Sequence, residues 1–137
     1  MPVTGRSLGR QLPRFAKKQK KTEEYIFSLY ELIQTPGIDL KIISDAANEL
    51  NFYTSQSALD IDTETKKNII KKFIDLMSLN MRYADATDHS RLAWLYYKLE
   101  NKPRAIYHTE LGLRIDPNNP FCQKLASFLG QKQRSAM

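Results

Sequence analysis

His89, His108 and Cys122 are the side chains from which this 137-residue chain could build a metal site or a nucleophile. A zinc site needs closely spaced Cys, His or carboxylate ligands. None stands at ligand spacing from either histidine, and the two histidines fall on different expected helices. Cys122 is the single cysteine, which excludes an internal disulfide. Its spacing with Phe121 and Leu125 points to core packing over reactivity. Asp60 and Asp62 resemble the start of a calcium loop, but no Gly and Glu complete it; Asp62 before Thr63-Glu64 reads as a helix cap. No zinc-protease, dinucleotide, phosphate-loop or nucleophile-elbow string occurs. The residues predict a chain that is not an enzyme, with no cofactor and no metal.

The elements that would position these residues are all helical. Thr22 can cap a helix whose first turn carries Glu23 and Glu24 and whose inner face is Ile26, Leu29, Tyr30 and Ile33. Thr35-Pro36-Gly37 stops it. Asp39 can cap a second helix with Ile43, Ala46, Ala47 and Leu50 inside, so residues 22–53 form a helical hairpin. A polar loop follows over 53–61. A long helix over 63–83 then shows Ile70, Phe73, Ile74, Met77, Met81 and Ala84 along one side. Its Lys66, Lys67, Lys71 and Lys72 read as a solvated face, and its methionines as core filling.

Residues 86–119 read ATDHSRLAWLYYKLENKPRAIYHTELGLRIDPNN. Leu92-Ala93, Tyr96, Ala105, Leu113 and the closing Asp116-Pro117-Asn118-Asn119 resemble one unit of the tetratricopeptide (TPR) repeat, whose period is about 34 residues. Ala93 and Ala105 would let the two helices of the unit cross closely, and Pro103 suits the first turn of the second. Asp116-Pro117 ends that helix, and Asn118 can cap a closing helix over 118–130. Three positions depart from the family: His89 replaces an aromatic, Thr109 a bulky aromatic and Gly112 an alanine. No second copy of the signature is visible upstream. The resemblance implies an all-α, TPR-like stack of antiparallel hairpins, about six helices in one domain over 22–137. It equally fits the closing piece of a longer polypeptide.

Charge divides the chain. Residues 1–22 hold Arg6, Arg10, Arg14, Lys17, Lys18, Lys20 and Lys21 and no acid, whereas residues 23–137 hold 14 basic and 15 acidic side chains. Any attraction to a polyanion therefore rests on the tail at 1–21. That tail reads as a solvated leader, as a contact for nucleic acid or an anionic membrane, or as an organelle presequence or self-docking segment. No apolar run is long enough for a transmembrane helix. With one cysteine and no secretory core segment, the expected location is intracellular, in the first place cytoplasmic.

TPR-type modules bind partners along the first helix of each unit, and this resemblance places Thr87, Ser90, Trp94, Tyr97 and Lys98 on the outward side. Trp94 is the only tryptophan. An open Trp94–Tyr97–Lys98 strip would anchor a partner protein or peptide; alternatively, Trp94 packs on the preceding long helix and closes the groove. The lysine and asparagine pattern of peptide-carboxylate recognition is absent, since Ser90 and Trp94 occupy those places. The expected function is a protein–protein interaction module (an adaptor, assembly factor or complex subunit), and the alternative is a nucleic-acid- or membrane-associated factor anchored by its tail.

Overall fold

The computed structural model describes residues 15–55 and 59–130, with side chains from Thr22 onward. Among these residues there are six α-helices and no strand: α1 (Phe15–Leu32), α2 (Leu40–Tyr53), α3 (Thr63–Ser78), α4 (Ala86–Lys98), α5 (Lys102–Ile115) and α6 (Pro120–Phe128). A short 3-10 turn, Met81–Tyr83, links α3 to α4. The chain is all-α.

Local chemistry sets most helix ends. Asp62 Oδ1 accepts from Thr65 N at 2.7 Å. Asp85 and Asp88 exchange side-chain and backbone bonds at the start of α4, 2.9 and 3.0 Å, a capping box built from two aspartates. Asn101 and Asn119 accept from Arg104 N and Cys122 N and start α5 and α6. Each such cap satisfies a backbone N–H that the first turn of a helix leaves without a partner. Gly37 takes φ +74 where α1 turns into α2. The α4–α5 turn uses Glu100 at φ +62, with Glu100 N donating to Tyr97 O and Asn101 N to Tyr96 O. These are the two bonds of a Schellman stop, here closed without glycine.

Three expected boundaries move, and one expected cap keeps its place without a side-chain bond. α1 begins at Phe15, so Thr22 is a buried residue inside the helix and not its N-cap; the lysines before it are good helix formers and give the chain no reason to break. The expected 63–83 helix stops at Ser78, where Asn80 bonds back to Leu76 O through its side chain and to Met77 O through its backbone. Asp39 stands at the N-cap of α2 but makes no side-chain capping bond. Asn118 N is taken by Asp116 Oδ1, which passes the cap of α6 to Asn119.

Two apolar clusters hold the helices together. The first joins Ile26, Leu29 and Ile33, near or on α1, to Ile43, Ala46, Ala47 and Leu50 of α2 and Ile70, Phe73, Ile74 and Met77 of α3. Leu92 and Leu95 of α4 complete it. The second joins Ala93 of α4, Ala105 of α5 and Leu125 and Leu129 around α6. α4 thus contributes to both, and packs against α2, α3, α5 and α6.

Side-chain contacts fix the directions. Along α4 and α5 the partners Tyr96–Arg104, His89–His108 and Ala86–Gly112 march in opposite senses, so these helices are antiparallel. Along α2 and α4 the polar contacts climb together. Lys41 reaches Asp85 and Asp88, Ser44 and Asp45 meet Arg91, and Asn51 to Ser55 meet Lys98. The partners stay 40 to 47 residues apart along this ladder, so α2 and α4 run parallel. α6 also runs parallel to α4: Asn119 bonds Thr87 near the start of both helices and Phe128 meets Trp94 further along both, at separations of 32 and 34 residues.

Gly112 lets α5, α4 and α6 meet. A Cβ there would stand 2.5 Å from Cys122 Sγ and 3.2 Å from Ala86 O. Cys122 is fully buried, so its sulfur has no free place to turn into. Gly112→Ala should therefore lower the urea midpoint, costing roughly 1–3 kcal/mol by overpacking. That loss outweighs the gain of about 1 kcal/mol that alanine brings to a helix interior. An unchanged or raised midpoint would contradict this packing.

Candidate functional site

Trp94 and Tyr97 project from α4 toward the end of α6, where Phe128 meets both. Trp94 and Phe128 have ring centroids 5.3 Å apart, Tyr97 and Phe128 5.1 Å, and Trp94 and Tyr97 5.8 Å edge to face. Trp94 is half-buried against the second apolar cluster, while Tyr97 is 36% and Phe128 54% exposed. Three aromatic rings thus meet at the surface, packed on one another and partly exposed. Trp94 packs on the following helix α6, not on the long helix before it. Nothing local in the sequence marks Phe128 as the third ring, because it belongs to a different helix from Trp94 and Tyr97.

The other residues expected on this strip go elsewhere. Ser90 is buried, and its Oγ donates to Thr87 O at 2.6 Å. The expectation that it faces outward fails because α4 is enclosed at its N-terminal half, where Asp88, His89 and Ser90 are all buried. Thr87 is half-buried and its Oγ1 accepts from Asn119 Nδ2 at 3.0 Å, tying α4 to α6. Lys98 leaves the strip and reaches the C-terminal end of α2. Its Nζ donates to Asn51 O, Thr54 Oγ1 and Ser55 Oγ at 2.8, 3.0 and 2.7 Å. Carbonyls and hydroxyls at a helix C-terminus suit a cation. Burial, and then Lys66 nearby, press the Lys98 ammonium down to about 8.

Arg6, Arg10 and Arg14 lie outside the described residues. Lys17, Lys18, Lys20 and Lys21 occupy the opening turns of α1, and their side chains also lie outside the description.

The polar ladder between α2 and α4 carries the electrostatics of the body. Asp88 is 1% exposed and accepts from Lys41 Nζ at 2.5 Å, while Asp85 accepts from the same nitrogen at 3.0 Å. These bonds, first that of Asp88, raise the Lys41 ammonium above its ordinary value. Arg91 donates to Asp45 at 2.8 Å and to Ser44 at 3.2 Å. A buried carboxylate so paired is costly to strip of its partner, by roughly 3–5 kcal/mol.

The histidines and the cysteine come together at the α4–α5–α6 junction. His89 Nδ1 and His108 Nδ1 are 3.1 Å apart, and Cys122 Sγ donates to Ala86 O at 3.3 Å. Burial, with lesser effects from Asp116 and Asp85, pushes the Cys122 thiol up to about 11, far from a reactive thiolate. Among the described residues, no three His, Cys, Asp or Glu side chains gather as a metal site would require. No helix among them is long and apolar enough to cross a membrane.

No protein-family model, no curated protein and no solved structure matches this chain. The geometry alone carries the functional reading.

Lys98→Met keeps the aliphatic stem and removes the cap on α2. Three acceptors then lose their donor, and stability should fall by roughly 1–3 kcal/mol in urea unfolding followed by Trp94 fluorescence. A variant as stable as the parent would show that water satisfies those acceptors equally well.

Proposed function

We propose that this chain is a non-catalytic protein-interaction module of the TPR type, an adaptor, assembly factor or complex subunit that holds a partner protein on the Trp94–Tyr97–Phe128 surface. The observation that carries this is the parallel alignment of α4 and α6. The partners Thr87–Asn119 and Trp94–Phe128 lie 32 and 34 residues apart, close to the repeat period of about 34. α2 lies parallel on the other side of α4, so α2–α3 stands where a preceding unit would. First helices then lie side by side, as in a stack of hairpins. Clustered aromatic rings at a helix edge are the residue type that dominates binding hot spots. An intracellular setting fits the single free, buried cysteine.

The second reading, association with nucleic acid or an anionic membrane, draws on the seven tail cations. α1 carries Lys17 and Lys18 in its opening turn with no acid beside them. Cations at that end oppose the helix dipole, a mismatch that a bound polyanion would offset.

Capture from nuclease-treated extract separates the two. The intact chain is compared with one lacking residues 1–14 and carrying Lys17, Lys18, Lys20 and Lys21 changed to Gln, which leaves α1 its length. Protein partners should survive this change and moderate salt. They should be lost on Trp94→Ala or Phe128→Ala, with affinity falling about tenfold or more. Capture that vanishes with the tail charges and falls steeply with salt would favour the second reading.

A further inference from the structure

The hairpin that carries the aromatic surface is pinned from inside by two imidazoles. His89 of α4 and His108 of α5 are 8% and 9% exposed and meet Nδ1 to Nδ1 at 3.1 Å. Their rings lie 5.4 Å apart and 23° from parallel. Two Nδ1 atoms can bond only if one carries hydrogen and the other a lone pair, so the contact needs at least one neutral imidazole. Tyr96 stacks on His108 at 5.6 Å, and Tyr107 meets it edge on at 5.1 Å. On the α6 side, Gly112 sits between Cys122 and His89. The place of a Gly112 Cβ is 2.5 Å from Cys122 Sγ and 3.4 Å from His89 Cβ. His89, Gly112 and Cys122 thus lie close together where the three helices meet, and further along α6 Phe128 meets Trp94.

We propose that the His89–His108 pair is an acid-released latch: double protonation turns its hydrogen bond into a donor–donor contact and loosens α4, α5 and α6 around Trp94. A first proton leaves an N–H···N bond with one buried charge. A second makes both Nδ1 atoms donors, and nothing at that contact accepts from either.

The surroundings set the direction. Burial lowers both histidines below the ordinary 6.5. For His89 the charges of Asp88 and Asp85 oppose the lowering without cancelling it. Both carboxylates already answer Lys41 of α2. For His108, His89 and then Arg104 of α5 add to burial and bring it down to about 4. The raised Cys122 thiol of α6 carries no charge in acid. An unfolded chain therefore takes up protons first. Stability is whole above about pH 6.5 and drains away as the pH falls toward the folded value of His108. Backbone and side-chain bonds from Asp88 and Lys41 outweigh burial at Asp85 and keep that carboxyl below its ordinary range, so its titration falls under this window.

Urea unfolding read by Trp94 fluorescence between pH 7.5 and 4.5 tests the latch. From His108 alone, the unfolding constant of the native sequence should rise on the order of 10²-fold across that range. His108→Gln keeps a side-chain amide within reach of His89 and does not titrate, so its rise should be smaller by about that factor. Equal pH dependence in the two proteins overturns the proposal. Should the variant not fold, the imidazole ring protons of the native protein decide by NMR. Titration of both rings near 6.5 in the folded state overturns the latch, and titration well below 6.5, together with loss of the folded signals, supports it.

Discussion

Helix α4 is enclosed on two sides, and the remaining helices are arranged by that fact. Leu92 and Leu95 enter the core shared with α1, α2 and α3, while Ala93 opens a second core with α5 and α6. A helix used this way cannot keep a broad polar face. Its polar side chains must be satisfied inside the protein, and they are: Asp88 by Lys41, Ser90 by Thr87 O, His89 by His108. Small residues make the closeness possible. Ala93 and Ala105 share one cluster, and Gly112 removes the last obstacle between α5, α4 and α6.

The apolar layout could be read from the sequence because it obeys helical periodicity. Ile26, Leu29 and Ile33, the run from Ile43 to Leu50, and Ile70, Phe73, Ile74 and Met77 all lie in the core as their spacing requires. Helix ends proved less legible where two polar residues compete for one place, as with Asn118 and Asn119, or where no breaker exists, as before Thr22. The partners of polar side chains were hidden altogether. Nothing local in the sequence says that Lys98 should turn to α2, because its acceptors lie 43 to 47 residues away.

The same limit applies to the surface. Trp94 and Tyr97 stood out by residue type, but the third ring, Phe128, belongs to a helix whose placement depends on tertiary packing. His89 finds its partner in His108, and Gly112 leaves room for Cys122. Polar rungs also tie α2 to α4 along their length.

Those rungs give the body a mechanical direction. Because they are spread along two parallel rods, a pull along the rods loads several of them at once, as shear. Sliding by even one helical turn, about 5.4 Å, would break them together. A pull across the rods from either end meets them singly and peels them in sequence, first at Lys41 or first at Lys98. Tension is therefore resisted along the helices and yielded to across them.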